Sequence, residues 1–147
     1  EVVRGSLAAT RFTPTWLRHD DEITRLDRAA MLCDRAMRNT RVLARRASAI
    51  AMAEDDGEML ADLLHQTSVA AARLGGMLSS NEDPVGARRE LVGIAGQLDT
   101  QVFSSWSGQT EVALLRSLVV DLLEITGWSG AEARAVLVKP GSLGPNG

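Results

Sequence analysis

The chain has 147 residues, a mass of 15.8 kDa and a net charge of −3. That length suits one domain, and Ala and Leu supply 39 of its 66 hydrophobic residues, a composition made for closely packed helices. Aromatics are only 3% and Cys33 is the single cysteine, which argues against a β-sandwich or barrel and excludes a disulfide framework.

The total charge hides an asymmetry. Residues 1–50 carry +4, and residues 51–147 carry −7. Fifteen of the sixteen bases are Arg, Lys139 being the exception. A basic first third ahead of an acidic remainder points to an anionic partner or a membrane surface. No run of about 18 apolar residues occurs, so nothing in the sequence reads as a membrane-spanning helix. Residues 1–6 lack the pattern of a signal peptide. The chain begins at Glu1 rather than Met, and it is expected to be cut from something longer.

Residues 1–18 show no sustained period and read as a connecting segment, with Pro14 disfavouring helix at Thr13. His19, Asp20 and Asp21 offer helix-start signals. A seam then runs at spacing three and four through Ile23, Leu26, Ala30, Cys33, Met37, Thr40, Ala44, Ala47 and Ala51. Leu32, Ala36, Leu43 and Ile50 widen it. The spacing predicts an amphipathic helix over about 20–53, with Cys33 as a buried core thiol.

Residues 54–57 form an acidic turn, its charges favourable at the start of the next helix. A second helix is expected over about 58–78, on the seam Leu60, Leu63, Leu64, Thr67, Ala70, Ala71, Leu74 and Leu78. Gly75 and Gly76 read as a kink or fraying point. Asp83 reads as an N-cap, with Pro84 in the first helical position. The third helix carries Leu91, Ala95, Leu98, Val102 and Trp106, and Ser107-Gly108 breaks it. The fourth runs over about 110–126 and ends at a Gly127 cap. Ser129 to Glu132 is a capping box that opens a short fifth helix, and Pro140 ends that helix. The chain is thus read as all-α: an antiparallel four-helix bundle with a short fifth C-terminal helix, occupying residues 19–138. Residues 139–147 read as a flexible tail.

The chemical inventory is thin. A metal site needs several His, Cys or carboxylate ligands, and the sequence offers only His19, His65 and Cys33 beside its acids. No catalytic residue, metal or cofactor is expected. His65 invites comparison with a histidine phosphotransfer domain, since Ala70, Ala71, Ala72, Leu74 and Gly75 follow at matching offsets. Ser68 and Val69, however, stand where that pattern has Lys and Gly. Arg38, Arg41 and Arg45 share a helix face with Arg46 beside them, a stripe suited to anionic lipid or an anionic ligand. Nucleic acid is not expected, because the chain is acidic overall and the stripe lacks base-stacking aromatics.

The segment Leu26-Asp-Arg-Ala, continued by Asp34-Arg-Ala-Met-Arg-Asn-Thr-Arg-Val-Leu-Ala-Arg-Arg46, resembles the region that follows the membrane part of actinobacterial FUSC proteins. These form the fusaric-acid-resistance, or aromatic acid exporter, family. Residues 111–127 are similar to that family's C-terminal Arg-Ser-x-x-x-Asp-Leu-Leu-x-x-Thr-Gly pattern, here Arg116, Ser117, Asp121, Leu122, Leu123, Thr126 and Gly127. The resemblance implies a non-catalytic accessory or regulatory domain on the cytoplasmic face of the bacterial inner membrane. Its implied partners are a transmembrane domain upstream of residue 1, an anionic membrane surface and a further copy of itself. The basic first third fits the Arg and Lys excess of cytoplasmic segments beside membrane helices. A free-standing helical dimerisation or ligand-binding module is the alternative, with phosphotransfer through His65 a third reading.

Overall fold

The computed structural model describes residues 14–50 and 56–138, and all regular structure among them is helical. Helix α1 spans Pro14–Ile50, α2 Gly57–Ser79, α3 Val85–Ala95, α4 Trp106–Ile125 and α5 Gly130–Ala135. A 3-10 turn, Thr100–Val102, lies between α3 and α4. The chain divides into two units, Glu1–Met31 and Leu32–Gly147, with α1 running through the boundary. In the first, the described residues 14–31 are helical, and Ile23 and Met31 are exposed.

Helix α1 starts six residues before its expected start near 20. Pro14 takes the opening position, where a missing N–H costs nothing and a fixed φ favours the helix. Residues 14–18 of the expected connecting segment are therefore helical. Residues 1–13, the end of the first helix at 51–53, the turn acids Glu54 and Asp55, Pro140 and the 139–147 tail lie outside the described residues.

In the second unit the core is built from α2, α3 and α4, which pack on one another, with α5 against α4. Leu60, Leu63, Ala70 and Leu74 enter from α2, and Ala87, Leu91, Ile94 and Ala95 from α3. Val112, Leu115, Val119 and Leu123 of α4 are fully buried. Burying a Leu or Val side chain stabilises the fold by about 1.5–3 kcal/mol. Helix α1 adds Leu32, Ala36 and Leu43. These widened the expected seam, whereas the seam's own Cys33 and Met37 are exposed. The expected buried thiol is thus corrected. The face of α1 that turns to the core also carries Arg35, Asn39 and Arg46, whose polar ends meet α4.

Two boundaries differ from expectation. Helix α3 ends at Ala95, well short of Trp106, because Gly96 caps it and Asp99 accepts a bond from Gln101 N–H to start the 3-10 turn. Val102 and Trp106 are exposed. Helix α4 begins at Trp106, and Ser105 caps it by accepting from Gly108 N–H, so Gly108 sits inside the first turn. Pro84, not Asp83, occupies the N-cap of α3, without a side-chain cap. Helix α2 runs straight through Gly75 and Gly76.

Cross-helix bonds order the rest. Arg73 pairs with Glu90, and Gln97 Nε2 donates to Gln66 Oε1 at 3.3 Å. Arg88 donates to the Thr126 carbonyl at 2.6 Å, and Arg116 to the Leu98 carbonyl at 2.7 Å.

Candidate functional site

Three features of the second unit could carry function: a polar joint between α1 and α4, a carboxylate clasp at the start of α4, and an apolar groove beside α1.

The joint is formed by side chains one turn apart. Arg35 Nε donates to Asp121 Oδ1 at 2.5 Å, and its Nη2 to Glu124 Oε1 at 2.8 Å. Asn39 Nδ2 donates to the other Asp121 oxygen at 2.6 Å. Burial nonetheless raises the Asp121 pKa above its ordinary value, because desolvation outweighs the pull of Arg35. Three turns along α1, Arg46 Nε meets Glu111 Oε1 at 2.5 Å. Glu111 is fully buried, and its second oxygen has no hydrogen-bond partner among the described residues.

The clasp centres on Asp56. Its Oδ2 accepts from the Ser105 hydroxyl at 2.6 Å and the Ser105 N–H at 2.9 Å. Its Oδ1 accepts from the N–H and hydroxyl of Ser104, each at 3.1 Å. The Ser105 donors, with those of Ser104, hold the Asp56 pKa down to about 2 from 3.8. The acid read as a helix-start charge for α2 therefore also ties that turn to the start of α4.

The groove has a volume of about 590 Å³ and is lined by α1, α2 and α4. Cys33, Met37, Thr40 and Ala44 line its α1 side, so the periodic seam exists but faces this hollow instead of packed core. Among the described residues none that is charged lines it. The hydroxyls of Thr40 and Thr67 are satisfied by the carbonyls of Ala36 and Leu63, at 2.9 and 2.7 Å.

The arginine stripe is divided. Arg38 pairs with Asp34 at 2.7 Å, while Arg41 and Arg45 are exposed. Arg46 turns to Glu111 and does not join them. His65 is exposed on α2, and Val69 beside it is 52% exposed, so a valine side chain stands in the open where the phosphotransfer pattern has Gly. His19 lies in α1. Among the described residues no group of three or more His, Cys, Asp or Glu is placed to hold a metal. None of the described helices is long and apolar enough to cross a membrane.

Sequence reasoning missed the clasp, the groove and the inward role of Arg46. The one available signal was the set of three carboxylates, Glu111, Asp121 and Glu124, on the Leu- and Val-rich α4.

No protein-family model matches the chain, and no curated protein or solved structure matches it.

Proposed function

We propose that this chain is a non-catalytic accessory domain of a FUSC-type membrane exporter, held at the cytoplasmic face of the inner membrane by a transmembrane domain upstream of residue 1. One observation carries the reading: the two family-like segments meet each other across the α1–α4 joint. Arg35 and Asn39 from the first bind Asp121 in the second, and Arg46 binds Glu111. Six of the seven residues of the second pattern have structural work, the exception being exposed Ser117, whose hydroxyl donates to the Ala113 carbonyl of its own helix at 3.2 Å. Arg116 ties the carbonyls of Leu98 and Leu137, Thr126 is held by Arg88, and Gly127 turns at φ +100°. Leu122 and Leu123 are buried. Such a pattern describes a scaffold, and its polar residues are spent on helix pairing.

The same bonds support an antiparallel four-helix arrangement. Arg35 lies by Asp121 and Arg46 by Glu111, so rising numbers in α1 meet falling numbers in α4. The pairs Arg73–Glu90 and Gln66–Gln97 give the same sense for α2 and α3. Arg88–Thr126 and Leu98–Arg116 give it for α3 and the α4 end.

The parent reading frame tests the proposal. Several apolar spans are expected ahead of residue 1, and a frame that opens near Glu1 overturns it. The groove favours a second reading, a free-standing ligand-binding or dimerisation module. Sedimentation over a range of concentrations, with and without an apolar ligand, tests that one. A monomer that binds nothing removes it.

A further inference from the structure

We infer that the groove of the second unit binds the hydrocarbon chain of a single-chain carboxylate amphiphile of fatty-acid type, with its head group at Arg41 and Arg45. The inference deepens the ligand-binding reading and rests on it; it does not depend on the family reading.

Size and chemistry select the ligand. A volume of about 590 Å³ falls within the range of small-molecule sites, roughly 300–1,000 Å³. The lining of α4 over residues 115–125 extends the hollow by about 15 Å at the helical rise of 1.5 Å per residue. Its walls are mainly Leu, Ala, Met and Ile side chains; the Thr40 and Thr67 hydroxyls are already bonded inside their own helices, and Cys33 and Ser68 are exposed lining positions. A polar group laid against those apolar walls would lose its hydration for little in return. A hydrocarbon chain has no such requirement.

Charge complementarity places the head group. Arg41 and Arg45 directly follow the lining residues Thr40 and Ala44 and are exposed one helical turn apart. Their neighbours Arg38 and Arg46 are committed to Asp34 and Glu111. A carboxylate emerging beside α1 would therefore meet two arginines on one face, the donor type suited to carboxylates. A second copy of the chain fits less well. A stable dimer covers about 800 Å² on each partner, and the surface of α1 beside the hollow carries Asp34, Arg38, Arg41 and Arg45.

Equilibrium titration of the 147-residue chain with dodecanoate, below its micelle threshold, tests the site, with dodecanol and phosphatidylglycerol vesicles as comparison probes. Saturable binding of one dodecanoate per chain is expected, stronger than that of dodecanol. Ser68→Trp, which puts a ring into the hollow from an exposed lining position, should abolish binding of both. The double variant Arg41→Gln, Arg45→Gln should weaken dodecanoate by about tenfold, the worth of a charge-assisted hydrogen bond, and leave dodecanol unchanged. Circular dichroism checks that both variants keep their helices. Equal affinity for dodecanol and dodecanoate overturns the head-group assignment while the ligand-binding reading stands. Binding of neither probe overturns both. Vesicle binding without uptake of free dodecanoate, or a dimer that closes the groove, also overturns the inference.

Discussion

The Asp56 carboxylate accepts two hydrogen bonds from Ser105, one from its hydroxyl and one from its backbone N–H, across 49 residues of sequence. Ser105 in turn caps α4 through Gly108 N–H at 2.9 Å. The turn before α2 and the first turn of α4 are thereby one hydrogen-bonded unit.

Acid should loosen that unit in a defined window. The folded pKa of Asp56, about 2, lies below its ordinary 3.8. The unfolded chain therefore binds the proton more readily, and the contribution of Asp56 to stability is complete above the ordinary value. It is lost as pH falls towards the folded value. Urea midpoints of the parent and Asp56→Asn should differ by a constant amount between neutral pH and about 5, and converge towards about 2.

Asp121 should behave with the opposite sign. Burial raises its pKa, so the unfolded chain gives up this proton more readily than the folded one. The advantage of the parent over Asp121→Asn should shrink as pH rises from below the ordinary carboxylate value towards neutrality. Paired urea titrations at several pH values read this directly, and a growing advantage would refute it.

Two glycines should respond in opposite directions to Ala. A Cβ at Gly108 would stand 2.6 Å from Asp56 Oδ2 and 3.0 Å from Ser105 Oγ. Gly108→Ala must push the clasp apart, at a cost of about 1–3 kcal/mol. At Gly93, inside α3, a Cβ meets nothing within 4 Å. Gly93→Ala should stabilise by about 0.5–1 kcal/mol through helix propensity. Thermal unfolding of the two variants separates the effects.

The Arg46–Glu111 pair should be asymmetric. Glu111 is fully buried, whereas Arg46 is 44% exposed. Arg46→Ala strands a buried carboxylate and should cost about 2–4 kcal/mol, the low side of the range for breaking such pairs because solvent reaches the arginine. Glu111→Leu leaves Arg46 able to turn to water and should cost less. Urea unfolding of each single variant and of the pair gives the coupling.

How much of this fold was legible follows from where each partner lies in the chain. The bounds of α2, the Gly127 turn and the Ser129–Glu132 capping box depend on residues within a few positions, and all appear as read. The start of α1 was missed because Pro14 marks a first helical position as readily as it marks a break. In sequence Gly108 reads as a breaker, which displaces the expected end of α3 and start of α4 from where the structure has them. It is instead small because a carboxylate 52 positions away, by number, packs against it.

Amphipathic spacing alone determined that α1 is a helix with an apolar face. It could not decide that Cys33 and Met37 stand exposed in an open hollow while Leu32 packs, and Ala36 and Leu43, which also border the hollow, are buried. Those two arcs are neighbours on the helix, and the contacts of α1 with α4 select between them. The arginines show the same division. Composition and placement determined a basic first third, but a charged side chain takes its role from whatever lies opposite. Only the tertiary structure sends Arg35 to Asp121, 86 residues on, and Arg46 to Glu111, 65 residues on, leaving Arg41 and Arg45 exposed beside the groove.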